Sequence, residues 1–586
     1  MDWKQVLKYG LIVGVAYWYV CLVGMVETFD SRGIIDNTPL TLGRALLVVI
    51  GLGMGYITGM KLAKRSKGVA VVGSLITGLI GAVMLLGLVL LIGSLNMRVM
   101  FVNASPRLVQ VLTFGEGAEG SGLLLLSGSL VAVVLLGGLI AVLPDLPRRA
   151  VMVGLGCVLL FGMLTDLLTV LLGRFSVTDA ISDLLYSREG LSIQGAVIVF
   201  VVFAALNALW ATQSDGLSRG VAKLPPAQQR TLSWGLIALS LILLLLLPQI
   251  AGPYISQILV LVGLYALMGL GLNIEIGLAG LLDLGFVGFF AIGAYVMALM
   301  TTTGELAVVD SNFWVAIPIA IAVAGFAGVF LGIPVLRMRG DYLAIVTLGF
   351  AEIIRILVLS DFLRPVLGGA QGVLNIPKPP VALAQDFMAS APGWLQAVIG
   401  AVVSLDGRIK DPGQFYYVII IGCFVIGFIA WRLQNARIGR SWMALREDED
   451  VAEAMGINLI SAKLLAFGIG AAFAGLSGAI FAAQVGSVFP HSFGLIVSIN
   501  VVSLVIIGGA GSIPGVIVGS LVLVGLPELL REFAEYRLLI YGMLLIVMML
   551  VKPEGLWPSS VTRREMSTAE DTEAVPVGGQ TVAGRV

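Results

Sequence analysis

Residues Val69 to Ser94 read VAVVGSLITGLIGAVMLLGLVLLIGS, an unbroken apolar stretch without a charged side chain. A bilayer core of roughly 30 Å is crossed by about 20 such residues in a helix. A helix is also one of the few conformations that satisfy every backbone hydrogen bond inside lipid. The stretch therefore predicts a transmembrane helix.

The rest of the chain repeats this pattern. It is 58% hydrophobic and 12% charged, against roughly 25% charged residues in a soluble domain. We predict an all-α, polytopic transmembrane protein of about 16 spans, some of them short or broken. The apolar stretches lie near residues 7–26, 45–60, 69–94, 122–143, 151–172, 193–212, 234–251, 255–274, 284–302, 314–336, 342–360, 415–433, 463–484, 494–508, 514–530 and 537–551.

The charged residues predict how the chain is oriented in the membrane, but they do not point to a charged binding partner. Lys plus Arg and Asp plus Glu each total 35, so net charge provides no argument for a nucleic-acid partner. Lys and Arg are roughly twice as frequent in the loops on the N-terminal side of the membrane as in the alternate loops, and basic residues are retained in the cytoplasm. The expected topology has both termini in the cytoplasm.

A polar insert from Arg437 to Asn458 reads RIGRSWMALREDEDVAEAMGIN between two apolar spans. Its apolar residues recur at helical spacing. We expect one amphipathic helix from Ser441 to Met455, outside the bilayer, with Ser441 as the N-cap and Gly456 as a left-handed C-cap. Asp448 is the one charge in the apolar stripe. Such a helix requires a docking partner.

Glycine-rich segments recur at span ends, near residues 269–280, 285–294 and 508–515. They fit tight turns with close helix approach, and equally well broken helices that line a substrate path. None contains the lysine of a phosphate-binding loop. If ATP drives this protein, another chain hydrolyses it.

The sequence offers few residues that could form a catalytic site. The three cysteines lie in apolar runs, and the single histidine is His491. Neither a nucleophile–histidine pair nor a Cys/His metal site can be assembled from them. We expect no catalytic residues, no bound metal and no enzymatic activity.

Small residues recur every four positions on one span, at Gly470, Ala474, Gly478 and Ala482. Such a stripe is typical of a helix-packing face in membranes. Its partner helix lies either in the same subunit or in a second one.

Charged residues inside spans are costly and usually face protein or water. The candidates are Asp166, Glu275, Asp283, Glu352 and Arg355. Glu352 and Arg355 stand three apart on one helix, which favours an internal ion pair over a substrate contact. Glu275 and Asp283 fall near cytoplasmic span ends, where we expect them to be hydrated.

Three regions follow from this pattern. A polar stretch at 212–231 separates an N-terminal block, residues 1–230, from a second region, residues 231–558. The block carries no motif, and a packing or assembly module is its favoured interpretation. Residues 559–586 are expected to form a disordered cytoplasmic tail.

Six ordered segments from about Leu241 to Pro558 resemble the M-type permease subunit of branched-chain amino acid ABC importers. They are the glycine-rich stretch 271–295, the run from Pro334 to Leu357, the stretch 368–379, Gly439 to Glu449, Gly508 to Ser512, and Lys552 to Pro558. The N-terminal block exceeds the short extension that these subunits carry, so its role stays open.

The resemblance implies that transport is shared among several subunits. This subunit would pair with a second permease, two ATPase subunits that bind ATP and Mg²⁺, and a periplasmic substrate-binding protein docking on the outside loop 361–414. The insert would be the coupling helix that seats in an ATPase cleft. Its coupling residues would be Ser441, Trp442, Ala444, Leu445, Arg446, Glu447, Asp448, Val451, Ala452, Met455 and Gly456.

Within the coupling helix, we expect Leu445, Val451, Ala452 and Met455 to form the face buried against the ATPase. Arg446, Glu447, Asp450 and Glu453 would form its polar rim.

Branched-chain amino acids are the expected cargo in an inner (cytoplasmic) membrane. The candidate path residues are Tyr295, Tyr342, Thr347 and Glu352. Urea and short-amide importers use similar permeases, and that substrate class is the alternative. A second alternative is an ion-coupled secondary transporter, against which the scarcity of intramembrane carboxylates and the docking helix both argue.

Overall fold

The computed structural model of the chain describes residues 3–64, 66–95, 97–117, 120–173, 176–187, 190–222, 225–309, 311–335, 338, 340–381, 408–529, 536–552 and 554–558. Regular structure in these ranges is almost entirely helical. The chain divides into two compact units, Met1–Ala238 and Leu239–Val586. The sequence-based boundary at 230/231 and this division both fall within one long helix.

The first unit is built from long apolar helices and short connecting ones. They are α1 (Trp3–Val23), α2 (Met25–Thr28), α3 (Leu42–Ala63), α4 (Lys67–Ser94), α5 (Pro106–Leu112), α6 (Gly120–Val142), α7 (Asp145–Met163), α8 (Thr165–Leu172), α9 (Ser176–Leu185) and α10 (Ile193–Ala222). Strands β1 (Tyr186–Ser187) and β2 (Gly190–Leu191) form an antiparallel pair before α10.

Close backbone contact joins the helices of the first unit. A Cβ atom at Gly55 of α3 would overlap the Val134 carbonyl of α6, and one at Gly137 would overlap the Leu52 carbonyl. Glycine lets two helices approach until their backbones touch, which maximises packing contacts in lipid. Asp166, one of the charges noted in the sequence, pairs with Arg32 at 3.0 Å.

The second unit continues from α11 (Pro226–Leu272), which contains the division. The helices that follow are α12 (Val287–Thr301), α13 (Phe313–Val335), α14 (Asp341–Leu359), α15 (Arg364–Leu367), α16 (Pro412–Asn435), α17 (Arg437–Glu447), α18 (Glu449–Ala454), α19 (Leu459–Val485), α20 (Leu495–Gly508), α21 (Ile513–Ser520), α22 (Leu526–Leu529) and α23 (Arg537–Val551). Two π-helical turns, Asn273–Leu278 and Leu521–Gly525, interrupt this order.

Helix α19 lies at the centre of the second unit, with more of its surface buried than any other candidate span in the described residues. Its small-residue stripe is buried along its whole length. A Cβ atom at Gly478 would overlap the Phe290 carbonyl of α12, and one at Gly470 would overlap the Glu275 carboxylate. The stripe therefore packs within this chain, which answers the question that its spacing left open.

Helix α11 joins two of the predicted spans, 234–251 and 255–274, into one helical run. Pro248 and Pro253 lie inside it, and Gly252 between them has non-helical angles of φ 86° and ψ 177°. Proline removes a backbone donor and clashes with the preceding turn. The two prolines therefore account for the break at Gly252.

Twelve helices in the described ranges are long and apolar enough to cross a membrane. The sixteen predicted stretches correspond to these twelve, of which α11 holds two, together with Val287–Thr301, Ile513–Leu529 and α23. The shorter segments explain why a count from composition exceeds the number of full-length spans. The predicted tail 559–586 lies outside the described residues.

Candidate functional site

The polar insert folds into two short helices, α17 and α18, which we call the amphipathic pair. The expectation of one continuous helix from Ser441 to Met455 is wrong. Asp448 separates the two with extended angles of φ −159° and ψ 117°. Its Oδ1 atom accepts hydrogen bonds from the amides of Asp450 (2.9 Å) and Val451 (3.0 Å). Asp448 is thus the N-cap of α18, the position where aspartate is most favoured.

Ser441 does not cap a helix start, which corrects the sequence interpretation. Helix α17 begins at Arg437, one residue after Ala436, whose backbone is extended. The Ser441 hydroxyl lies one turn further on and donates to the Arg437 carbonyl at 3.1 Å. Serine commonly makes this bond to the preceding turn inside a helix.

Gly456 ends the pair in the expected left-handed conformation, with φ 86°. The Gly456 amide donates to the Glu453 carbonyl (2.9 Å), and the Ile457 amide donates to the Ala452 carbonyl (3.1 Å). These two bonds form a Schellman motif, which satisfies carbonyls that the helix end leaves free.

One face of the amphipathic pair is already buried against the same chain. Trp442, Leu445 and Ala452 are buried. The Trp442 indole Nε1 donates to the Ala462 carbonyl of α19 at 2.8 Å, and Glu449 pairs with the mostly buried Lys463 at 2.8 Å. Leu445 and Ala452 therefore belong to the fold, contrary to the expectation that they face a partner.

The opposite face exposes large apolar side chains. Val451 is 58% and Met455 78% exposed. Glu447, Asp450 and Glu453 are exposed as well, and Ala444 is half-buried. Of the expected apolar face, Val451 and Met455 are the residues left free to meet another protein.

Arg446 connects the amphipathic pair to the glycine-rich segment that follows α11. Its Nη1 atom donates to the Gly277 carbonyl at 2.9 Å. A Cβ atom at Gly280, where φ is 71°, would lie 2.9 Å from Arg446 Cγ and 3.1 Å from Arg446 Cα. Glycine at 280 thus allows both the left-handed turn and the approach of the helix.

A second glycine-rich segment meets the first at the same place. The Gly511 amide donates to Asn273 Oδ1 at 2.7 Å, and Gln434 Nε2 of α16 donates to the Gly511 carbonyl at 3.1 Å. We call Gly277, Gly280 and Gly511 the glycine junction. The close helix approach that the first interpretation predicts occurs here, at a helix that is broken, and the lining of a substrate path stays a prediction.

Glu275 and Asp283 flank the junction and are fully buried. The expectation that they are hydrated is wrong, because solvent reaches neither side chain, and Gly470 of α19 lies against the Glu275 carboxylate. Asp283 Oδ1 accepts from the Gly285 amide at 2.6 Å. Neither Glu275 oxygen nor Asp283 Oδ2 receives a hydrogen bond from another group in the described ranges.

The two carboxyl groups lie next to each other. Two buried negative charges so close are strongly unfavourable.

Thr347 holds the end of the unwound segment that runs from 273 to 286. Its buried Oγ1 atom accepts from the Leu284 amide at 3.1 Å. From the other side, the Ser498 hydroxyl of α20 donates to the Leu284 carbonyl at 2.5 Å. The segment is thereby fixed to α14 and to α20.

The other candidate path residues occupy different surroundings. Tyr295 is buried, and its ring centroid lies 5.8 Å from that of Phe493. Tyr342 is 75% exposed. Glu352 is half-exposed and accepts from Arg355 Nε at 2.9 Å, which is the ion pair that the spacing favoured. Thr347 and Tyr295 are thus interior residues, whereas Tyr342 and Glu352 lie on the surface of this chain.

The loop 361–414, which we expect on the outside, is described at 361–381 and 408–414, and its middle part lies outside the described residues. The described part borders a recess of about 400 Å³ with Thr303, Asn312, Lys378 and Arg408 among its walls. Lys378 donates to the Ala483 carbonyl at 3.3 Å, close to the C-terminal end of α19, where the helix dipole favours a cation. Burial lowers the pKa of the Lys378 ammonium group.

Residues 254–550 match the family described as the permease component of branched-chain amino acid transport systems. The high-affinity branched-chain amino acid transport system permease protein LivM of Escherichia coli K12 is 38% identical over 396 residues, covering 66% of this chain and 88% of the relative. LivM of Salmonella typhimurium is 41% identical over 313 residues, covering 52% and 71%. LivH of Salmonella typhimurium is 25% identical over 305 residues, covering 50% and 90%. No solved structure matches.

Proposed function

Because this chain belongs to the family of branched-chain amino acid transport permeases, we propose that it imports leucine, isoleucine and valine as a non-enzymatic subunit of an ATP-driven importer. A second permease, two ATPases and a periplasmic binding protein complete the assembly. The membrane is the inner one, and both termini face the cytoplasm, as the loop charges favour.

The energy source lies on other chains in this proposal. The sequence lacks the lysine-bearing phosphate loop, whose backbone and lysine bind nucleotide phosphates in many ATPases. ATP and Mg²⁺ bind to the partner ATPases, and their closure moves the membrane helices between inward and outward openings. This works because the two states differ in their contacts with the ATPases.

The observation that carries the proposal is the division of the amphipathic pair into an anchored and a free face. Trp442, Leu445 and Ala452 fix the pair to the permease, while Val451 and Met455 remain exposed. A small apolar patch rimmed by charges is typical of a protein-docking surface. The pair is therefore well suited to carry motion from an ATPase cleft to the helices beneath it.

The cargo is a zwitterion with an apolar side chain. Broken helices offer N-terminal ends to its carboxylate and free carbonyls to its ammonium group. The stretch 273–286, which ends α11 and precedes α12, supplies such ends. The basic recess beside Lys378 and Arg408 lies on the described part of the outside loop, the docking region of the binding protein in this proposal.

Uptake in proteoliposomes that hold the complete assembly tests the function. We expect ATP-dependent accumulation of labelled leucine and none of labelled urea. Urea uptake would assign the alternative substrate class. Leucine flux driven by an ion gradient, with this chain alone in the membrane, would overturn the importer assignment.

The exposed apolar patch makes a second test. Changing Val451 and Met455 together to Asp places charges in the docking surface, which costs about 3 kcal/mol or more and weakens ATPase binding roughly a hundredfold. Co-purification of the ATPases with the permease measures the loss. Changing both residues to Leu is the matched control and should preserve binding. Retained co-purification of the Asp variant would contradict the docking role.

A further inference from the structure

We propose that Arg446 is a positioning residue that makes the unwound segment 273–286 move together with the amphipathic pair. The inference rests on the proposed function, and it assigns the route by which the pair acts on the permease. Arg446 was expected on the polar rim that meets the ATPase, but its guanidinium group binds this chain's own backbone.

The contact between helix and segment is direct, while the rest of the Arg446 side chain is exposed. Arg446 Nη1 donates to the Gly277 carbonyl at 2.9 Å, and the Arg446 Cα, Cβ and Cγ atoms lie against Gly280. A hydrogen bond from a charged donor is roughly twice as strong as a neutral one. A displacement of α17 is therefore passed to the segment by both contact and hydrogen bonding.

The carbonyl that Arg446 binds belongs to a π-helical turn, Asn273–Leu278. Such turns break the regular hydrogen-bond ladder and are frequent at functional sites. Because the local backbone deviates from an α-helix here, a side chain from another element can bind this carbonyl.

The far end of the segment is tied to two other helices. Thr347 of α14 and Ser498 of α20 both hydrogen bond to Leu284. Asn273, at the near end, binds the Gly511 amide between α20 and α21. A shift that enters the segment at Gly277 thus reaches α14 and α20.

The other contacts that hold the amphipathic pair on the protein are made with α19. Trp442 and Glu449 bind Ala462 and Lys463, both at the start of α19. They hold the pair on the protein, whereas Arg446 links it to the segment. Removing the Arg446 side chain should therefore uncouple the segment from the motion of the pair while the pair stays attached to α19.

The test uses the complete assembly in proteoliposomes, with leucine uptake and ATP hydrolysis measured on the same preparation. For R446A we expect normal ATPase co-purification and near-normal hydrolysis, but a fall of about tenfold in leucine transported per ATP hydrolysed. R446K should recover part of the ratio, since its ammonium group can donate to the Gly277 carbonyl. Arg440 of the same helix donates to the Asn435 carbonyl at 3.3 Å, and R440A is the matched control with an unchanged ratio.

Uptake and hydrolysis that fall in proportion in R446A would overturn the proposal, because they indicate a lost assembly. An unchanged ratio would also overturn it. If R446A fails to insert, R446Q and R446K decide: a lower ratio in either supports the positioning role, and unchanged ratios in both overturn it. Failure of the proposed function itself would show differently, as absent ATP-driven leucine uptake with unmodified Arg446.

Discussion

Asp448 ends one helix of the amphipathic pair and begins the next. Its extended backbone stops α17, and its carboxylate accepts two amides in the first turn of α18. The carboxylate also lies at the positive end of a helix, where a negative charge is stabilised. The one charge in the apolar stripe thus serves local structure, and Val451 beside it depends on that structure for its position.

Replacing Asp448 by Ala should weaken the docking surface without removing any contact atom from it. Loss of an N-cap costs about 1 kcal/mol, which corresponds to roughly fivefold in binding. Titration of the purified permease with its ATPase measures the change. D448N is the control, because asparagine caps equally well. Equal loss in both variants would instead indicate a direct charge contact with the ATPase.

Single residues differ in how far sequence predicts them. Gly456 was predicted correctly, since a glycine after the last apolar position of a helix is a strong local signal. Ser441 and Asp448 were not, because both are good caps and the choice depends on where the preceding helix ends. The burial of Glu275 and Asp283 was also missed, since it depends on the tertiary packing around the unwound segment.

At the scale of elements, the spacing of small residues corresponds to close backbone contact between helices. Gly478 faces the Phe290 carbonyl so closely that any side chain would overlap backbone atoms. Backbone in a packed helix pair cannot give way as a flexible side chain can. The contact between α12 and α19 therefore requires glycine at this position.

Changing Gly478 to Val should destabilise the second unit by about 3 kcal/mol or more through overpacking. The yield of monodisperse protein in detergent and its thermal unfolding temperature report the effect. Gly427 of α16 has open space within 4 Å of its Cβ position, and G427V is the matched control. A similar loss in both variants would contradict a specific packing role for the stripe.

Periodicity and length predicted the helices well, because a membrane imposes both on every span. The breaks were harder to place. Gly252 is marked by its two prolines, whereas the π-helical turn at 273–278 has only a cluster of glycines as its signal. Which glycine-rich segments meet is a property of the tertiary fold, so the glycine junction could not be derived from either segment alone.

At the scale of the whole molecule, the family model matches within one of two compact units, and the likeness to LivM of Escherichia coli, which covers 66% of this chain, also reaches into the other. The family match covers residues 254–550 and thus lies within the second unit. Each unit has its own buried apolar cluster and thus an apolar core of its own.

A chain that starts at residue 231 should insert, bind the ATPases and support leucine uptake at a rate within about twofold of the full chain. Uptake in the reconstituted assembly, normalised to inserted protein, measures this. The unmodified full-length chain, reconstituted with the same partners, is the reference. Loss of ATPase binding on truncation would assign the first unit a part in assembly, and loss of uptake alone would assign it a part in transport.

The uncovered Val451 and Met455 side chains also bear on how a cell must make this protein. In the proposed assembly, a copy synthesised without its ATPases would present these side chains to the cytosol, where exposed apolar patches are bound by chaperones and proteases. Surplus copies would then be degraded, and assembled copies would be protected. Matched production of the subunits, as from one shared transcript, is the arrangement that wastes the fewest chains.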